Sequence, residues 1–157
     1  MATEIFNHPQ PYHPPRFRSQ NGGLSWTNVA GTLPWHAVAL AVRPADEYVY
    51  ALTEGPGLYG SPNHGANWIP PQLLAGPSVS LLMNPMSPQK LYGGRQKAGQ
   101  VSGGAFVSVN AGQAFHPIGL DGVTVSGLSL NGARTRLFAA AYASGIYVSP
   151  VPASLQP

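Results

Sequence analysis

Eight residues recur three times along this chain, and that recurrence restricts the fold more than any other feature. Ser19-Gln20-Asn21-Gly22-Gly23-Leu24-Ser25-Trp26 returns as Ser61-Pro62-Asn63-His64-Gly65-Ala66-Asn67-Trp68. It returns again as Ser108-Val109-Asn110-Ala111-Gly112-Gln113-Ala114-Phe115. The shared pattern is Ser-x-Asn-x-Gly-x-x-aromatic. A fourth copy starts at Ser149 and breaks off at Pro150. The four serines stand at 19, 61, 108 and 149, a spacing of about forty residues that suits one supersecondary unit per repeat.

The segments between the octets repeat as well. A short expected strand precedes each one: Arg16–Arg18, Gly57–Gly60, Gly104–Val107 and Gly145–Val148. Val38–Val42 matches Val79–Met83 and Val125–Leu130, and after a turn come Tyr48–Thr53, Lys90–Gly94 and Arg136–Ala141. Amphipathic helical runs are absent, and 19 Gly with 17 Pro supply turns. Short strands at this spacing predict four-stranded antiparallel meanders, the blades of a β-propeller. With the strands of a blade called a, b, c and d from the inside out, the chain reads cd, abcd, abcd, abc. The expected organisation is a Pro-rich arm over 1–15, propeller repeats over 16–150 and a tail over 151–157.

The chemistry of the octet suits a tight c–d hairpin. An Asn two residues after a Ser can accept hydrogen bonds from its own loop's N–H groups. Gly takes positive φ at little steric cost. The aromatic that opens strand d is expected to tuck between blades, where such a ring buries about 150–250 Å². The pattern resembles the Asp-box (BNR-type, sialidase-like) repeat, Ser-x-Asp-x-Gly-x-Thr-Trp. That box sits on the c–d hairpin of propeller blades in sialidases, sortilin-type receptors, some endoglucanases and photosystem assembly factors. The resemblance covers residues 16–150 and implies a propeller. It assigns structural roles to Ser19, Asn21, Gly23 and Trp26, to Ser61, Asn63, Gly65 and Trp68, and to Ser108, Asn110, Gly112 and Phe115. Every box here has Asn where the family has Asp, which keeps the turn and removes the charge.

Little in the sequence supports catalysis. Only 8% of residues are charged, against about 25% in ordinary domains. The acids are Glu4, Asp46, Glu47, Glu54 and Asp121. A glycosidase needs two carboxyl groups flanking the scissile bond, and only Glu54 and Asp121 lie on loops suited to that. Sialidase-like enzymes carry a Phe/Tyr-Arg-Ile-Pro motif and three arginines. Pro15-Arg16-Phe17-Arg18 lacks the Ile-Pro, so the resemblance carries no catalytic residue onto this chain. The expectation is no catalytic residue, no cofactor and no metal. His8, His13, His36, His64 and His116 lack ligand spacing, and the chain has no cysteine.

Binding candidates are few. Basic residues recur as Arg16/Arg18, Arg95/Lys97 and Arg134/Arg136, a spacing that puts both side chains on one face of a strand. They read as solubilising charge, or as a cationic rim for an acidic partner. Trp35-His36 precede the innermost strand of the first full blade, at the end where propellers commonly bind ligands. Trp35 reads as inter-blade core or as a stacking platform. Trp35, His36, Arg95 and Lys97 are therefore the candidate ligand residues. The net charge of +3 reflects scarce acids, not a clustered nucleic-acid footprint. No signal-peptide core or membrane-spanning run is visible.

Thirteen strands make a little over three blades, whereas closed propellers have about four to eight. The expected partner is another copy of the chain, a dimer above all, with an N-terminal cd hairpin completing a C-terminal abc set. The favoured reading is a non-catalytic propeller module for protein or glycan binding or for scaffolding. The alternatives are a sialidase-like or endoglucanase-like hydrolase and a truncated propeller fragment without a dedicated ligand.

Overall fold

The computed structural model describes residues 17–28, 33–54, 57–72 and 76–151. The expected arm over 1–15, Arg16 and all but the first residue of the expected tail lie outside the described residues. Within them there are thirteen strands and no helix. They are β1 (Phe17–Arg18), β2 (Thr27–Asn28), β3 (Ala37–Arg43), β4 (Tyr48–Thr53), β5 (Leu58–Ser61) and β6 (Ile69–Gln72). There follow β7 (Ser78–Met83), β8 (Leu91–Arg95), β9 (Gly104–Ser108) and β10 (His116–Gly119), then β11 (Val125–Leu130), β12 (Arg136–Ala141) and β13 (Gly145–Pro150).

Four antiparallel sheets result: β1-β2, β3-β4-β5-β6, β7-β8-β9-β10 and β11-β12-β13. The fold is all-β, a partial propeller of two full blades, a three-stranded third blade and a two-stranded hairpin. Register makes the repeat exact at the level of residues. Ala51 faces Tyr59, Gly93 faces Phe106 and Ala139 faces Tyr147 at the centre of the three b–c pairs. All three described a–b pairs slip by one residue near the start of strand a, a bulge that bends the innermost strand and increases its twist.

The core lies between blades. Tyr50, Leu52 and Leu58 of the first blade meet Met83 and Leu91 of the second, with Leu81 and Phe115 packed against them. Tyr92 and Val107 of the second blade meet Leu137 and Val151 of the third. Backbones come close here. A Cβ on Gly94 would run into the Val125 carbonyl oxygen and the Ser80 hydroxyl, and that hydroxyl donates to Val125 O at 3.2 Å. Gly is therefore required at 94 by the approach of the third blade.

All three octets fold alike. The Ser Oγ accepts from the backbone N of the Gly at 2.8, 2.8 and 2.9 Å and donates to the Asn Oδ1 at 2.9, 3.1 and 2.8 Å. The Asn Oδ1 accepts a backbone N–H four residues on, from Ser25, Asn67 and Ala114, at 2.9, 2.8 and 2.9 Å. The loop thus satisfies its own donors without help from the rest of the chain. One detail differs from expectation. The residue before the Gly is left-handed too, with φ of 67° at Gly22 and 57° at both His64 and Ala111.

The aromatics do not fare alike. Phe115 packs against the first blade's core, and Trp68 packs against Leu33, Ala51 and Tyr59. Trp26, expected between blades, is 61% exposed. Among the described residues its hairpin joins no larger sheet, and no neighbouring blade covers the ring.

Candidate functional site

Two ends of the blades differ in chemistry. The c–d octets and the a–b turns share one end. There Arg43 bonds Asp46 through two contacts, at 2.7 and 2.6 Å, and its guanidinium lies 4.7 Å from the Tyr48 ring centroid. The hydrogen bond holds the Asp46 carboxyl below the usual carboxylate range and raises the Arg43 guanidinium. Glu47 reaches across to His64 of the first blade's octet at 3.3 Å. These contacts tie turns together, and beside them a second cavity of about 270 Å³ opens between Arg43, Tyr48, Gly60 and Gln113.

The opposite end carries the d–a and b–c loops. One backbone bond clips them in each blade: Glu54 N to His36 O, Gln96 N to Pro77 O, and Tyr142 N to Thr124 O, at 3.0, 2.8 and 2.9 Å. The equivalent positions Glu54, Gln96 and Tyr142 therefore form a row along this rim. In the first blade His36 Nδ1 lies 3.2 Å from Glu54 Oε2, with both side chains exposed. Trp35 precedes His36 on this rim and is 47% exposed.

Between the second and third blades the same rim opens into a cleft of about 490 Å³ lined by Val79, Lys97, Thr124, Ser126, Tyr142 and Ser144. The Lys97 backbone N–H donates to Thr124 Oγ1 at 2.9 Å, which joins the two blades at the cleft floor. Tyr142 presents its ring to solvent. An exposed aromatic ring, three hydroxyl side chains and one ammonium group can stack on and hydrogen-bond a neutral or weakly acidic polar ligand.

The four candidate ligand residues do not form one site. Trp35 and His36 lie on the first blade's rim, and Lys97 lines the cleft at the second and third. Arg95 ends β8 partly buried, its guanidinium 4.1 Å from the Phe106 centroid. Arg95 and Lys97 were expected on one strand face, but Lys97 lies past the end of the strand. Arg134 likewise occupies a turn with φ of 57°, ahead of β12, which begins at Arg136. These pairs give no continuous cationic rim. The sequence reading missed Tyr142, Thr124, Ser126 and Ser144. Aligning the b–c loops in register, so that Tyr142 falls under Glu54 and Gln96, would have exposed them.

Among the described residues no group of three His, Asp or Glu side chains is placed to hold a metal ion, and no helix is long and apolar enough to cross a membrane.

The geometry defines the class, a partial β-propeller, and solved structures agree with it. The chain is similar to the crystal structure of the Niastella koreensis GH74 enzyme, with a TM-score of 0.73 and 19% identity over 87% of this chain and 24% of that one. It is also similar to an ancestral GH74 enzyme, with a TM-score of 0.68 and 20% identity over 85% of this chain and 19% of that one. The chain spans about a quarter or less of the length of those enzymes. No family model and no curated protein matches it.

Proposed function

We propose that this chain is a non-catalytic propeller module of the Asp-box type that binds a glycan, or a similarly polar protein segment, at the rim cleft between its second and third blades. The observation that carries the reading is the cleft itself, where Tyr142 offers an exposed ring beside the hydroxyls of Thr124, Ser126 and Ser144. Aromatic platforms flanked by hydroxyl donors suit a sugar face with its ring of polar groups. The likeness to glycoside hydrolases in fold makes a glycan the first ligand to try.

The acids favour binding over hydrolysis. Asp46, Glu47 and Glu54 each lie against a basic side chain: Arg43, His64 and His36. Titration with β-glucan oligosaccharides, followed by calorimetry or amide shifts, tests the reading. Binding should weaken about tenfold or more in Tyr142→Ala, and Arg43→Ala at the other end should bind as wild type. No saturable shift at the rim with any oligosaccharide contradicts the glycan reading.

The GH74 likeness favours one second reading, a hydrolase. It predicts turnover of β-glucan that disappears in Glu54→Gln or Asp121→Asn, whereas the module predicts none above background.

A further inference from the structure

The third blade lacks its octet. The Asn position after Ser149 is occupied by Val151, which is buried in the core beneath Tyr92 and Leu137. A Val cannot accept the loop's N–H groups, so this blade cannot build the hairpin that the first two build. Among the described residues its outer strand β13 pairs only with β12 and presents an open edge. Ile146, Tyr147 and Val148 along it are exposed, Ile146 at 77%.

Beneath that edge is a cavity of about 250 Å³ lined by Tyr92, Ala105, Leu137, Ala139, Tyr147 and Val151, among others. The repeat says what belongs there. In the second blade the octet's Phe115 lies against Gly93, in the first Trp68 packs with Ala51 and Tyr59. Register makes Ala139 the equivalent of Gly93 and Ala51, and Tyr147 the equivalent of Tyr59. The cavity is the place of the octet aromatic that the third blade lacks. Tyr92, on its wall, has a buried hydroxyl with no hydrogen-bond partner among the described residues. An indole N–H entering the cavity brings a donor to that wall.

The chain also carries the matching piece. Its first octet has every loop hydrogen bond of the other two, yet Trp26 is exposed and β1-β2 joins no blade among the described residues. We propose that Trp26 of a second copy of this chain fills the cavity and that β2 of that copy pairs with the open edge of β13. To face the ring inward, β2 must use the edge it now gives to β1, so the two-residue β1-β2 ladder yields. In the repeat, an octet hairpin is followed by a strand a that packs on the blade just completed, as β7 packs on the first blade. Strand β3 of the donor would then cover the acceptor's third blade. Its residues Val38, Leu40 and Val42 share one face and are all exposed, an apolar stripe of the kind that marks an interface. Reciprocal exchange between two copies closes six blades with two-fold symmetry. This goes beyond the cleft's ligand and stands whether or not the cleft binds a glycan.

The absence of cysteine makes the register testable. Octet hairpins pair Gly60 with Ile69 and Val107 with His116, which predicts Val148 of one copy opposite Thr27 of the other. Thr27→Cys and Val148→Cys chains are mixed and oxidised gently. The mixture should yield a covalent heterodimer well above the disulfides formed by either variant alone, and shifting one cysteine to Asn28 should reduce it. Native mass spectrometry at micromolar concentration should show the wild type at twice the chain mass. Trp26→Ala should weaken assembly about 30-fold or more, as truncating an interfacial Trp does, with unchanged far-ultraviolet dichroism, and Trp26→Phe should recover part of it. A wild type that stays at 16.4 kDa overturns the proposal. So does a mixture that cross-links no better than its components, or a Thr27→Cys, Val148→Cys double variant that closes its disulfide within one chain.

Discussion

The first and third octets have the same hydrogen bonds and opposite fates. At residues 108–115 Ser108 is fully buried, Gly112 packs so close to Leu58 that a side chain would collide with it, and Phe115 joins the core of the first blade. At residues 19–26 the loop closes with the same bonds at nearly the same lengths, while Leu24 and Trp26 stand in solvent. The difference teaches that the octet is two devices. Its loop is a local structure satisfied by its own Ser and Asn. Its aromatic is an adhesive whose worth depends on a neighbouring blade.

The comparison breaks most readily at the two aromatics. Phe115→Ala should destabilise the fold by about 3 kcal/mol, whereas Trp26→Ala in dilute solution should change stability by less than about 0.5 kcal/mol. Denaturant titration of both decides it. If the two cost the same, the first hairpin is packed inside its own chain.

The next largest effect concerns backbone approach. Gly94→Ala should cost about 2 kcal/mol or more, because the obstructing Val125 carbonyl belongs to another blade and cannot yield cheaply. Gly132→Ala, where nothing lies within 4 Å of the added Cβ, should be near neutral. Thermal melts of both variants separate a blade interface from an open turn.

The loops themselves should also differ. Ser108→Ala leaves a buried donor at Gly112 and a part-buried one at Asn110 and should cost about 1–3 kcal/mol. Ser19→Ala, in an exposed loop where water replaces the hydroxyl, should cost well under about 1 kcal/mol. In the opposite direction, Ala111→Gly relieves a left-handed Ala and should stabilise by about 0.5–1 kcal/mol. A loss on Ala111→Gly would mean that the conformation is unstrained.

The smallest effect is electrostatic. The Asp46 carboxyl is held low by Arg43. A depressed carboxyl contributes stability at pH values above its unfolded pKa of about 4 and loses it as pH falls through the lower folded value. Asp46→Asn should therefore flatten the stability curve below about pH 4 and leave the neutral region little changed, since the pair is exposed.

Much of the fold was legible from the chain. Tyr48–Thr53, Val125–Leu130 and Arg136–Ala141 lie where the apolar runs put them, and the other strands differ by a residue or two at their ends. Repetition made this possible, because three copies of one pattern align one another. The site was less legible. Trp35 and Lys97 share a rim in sequence order but sit on different blades, and Tyr142 reaches the cleft only because a b–c loop folds beside its neighbour's strand a. The exposure of Trp26 was hidden for the same reason. A residue's neighbours across blades are about forty positions away, and composition does not report which of them are present.

The most direct test of the account follows wild type, Phe115→Ala and Trp26→Ala by thermal unfolding over a hundredfold range of protein concentration. Binding to a second copy raises the melting temperature with concentration. The account predicts a wild-type melting temperature that climbs with concentration, a Phe115→Ala curve displaced downward at every concentration, and a Trp26→Ala curve that meets wild type on dilution but fails to climb. A Trp26→Ala curve parallel to wild type and lower throughout would contradict it, as would a wild type whose melting temperature ignores concentration.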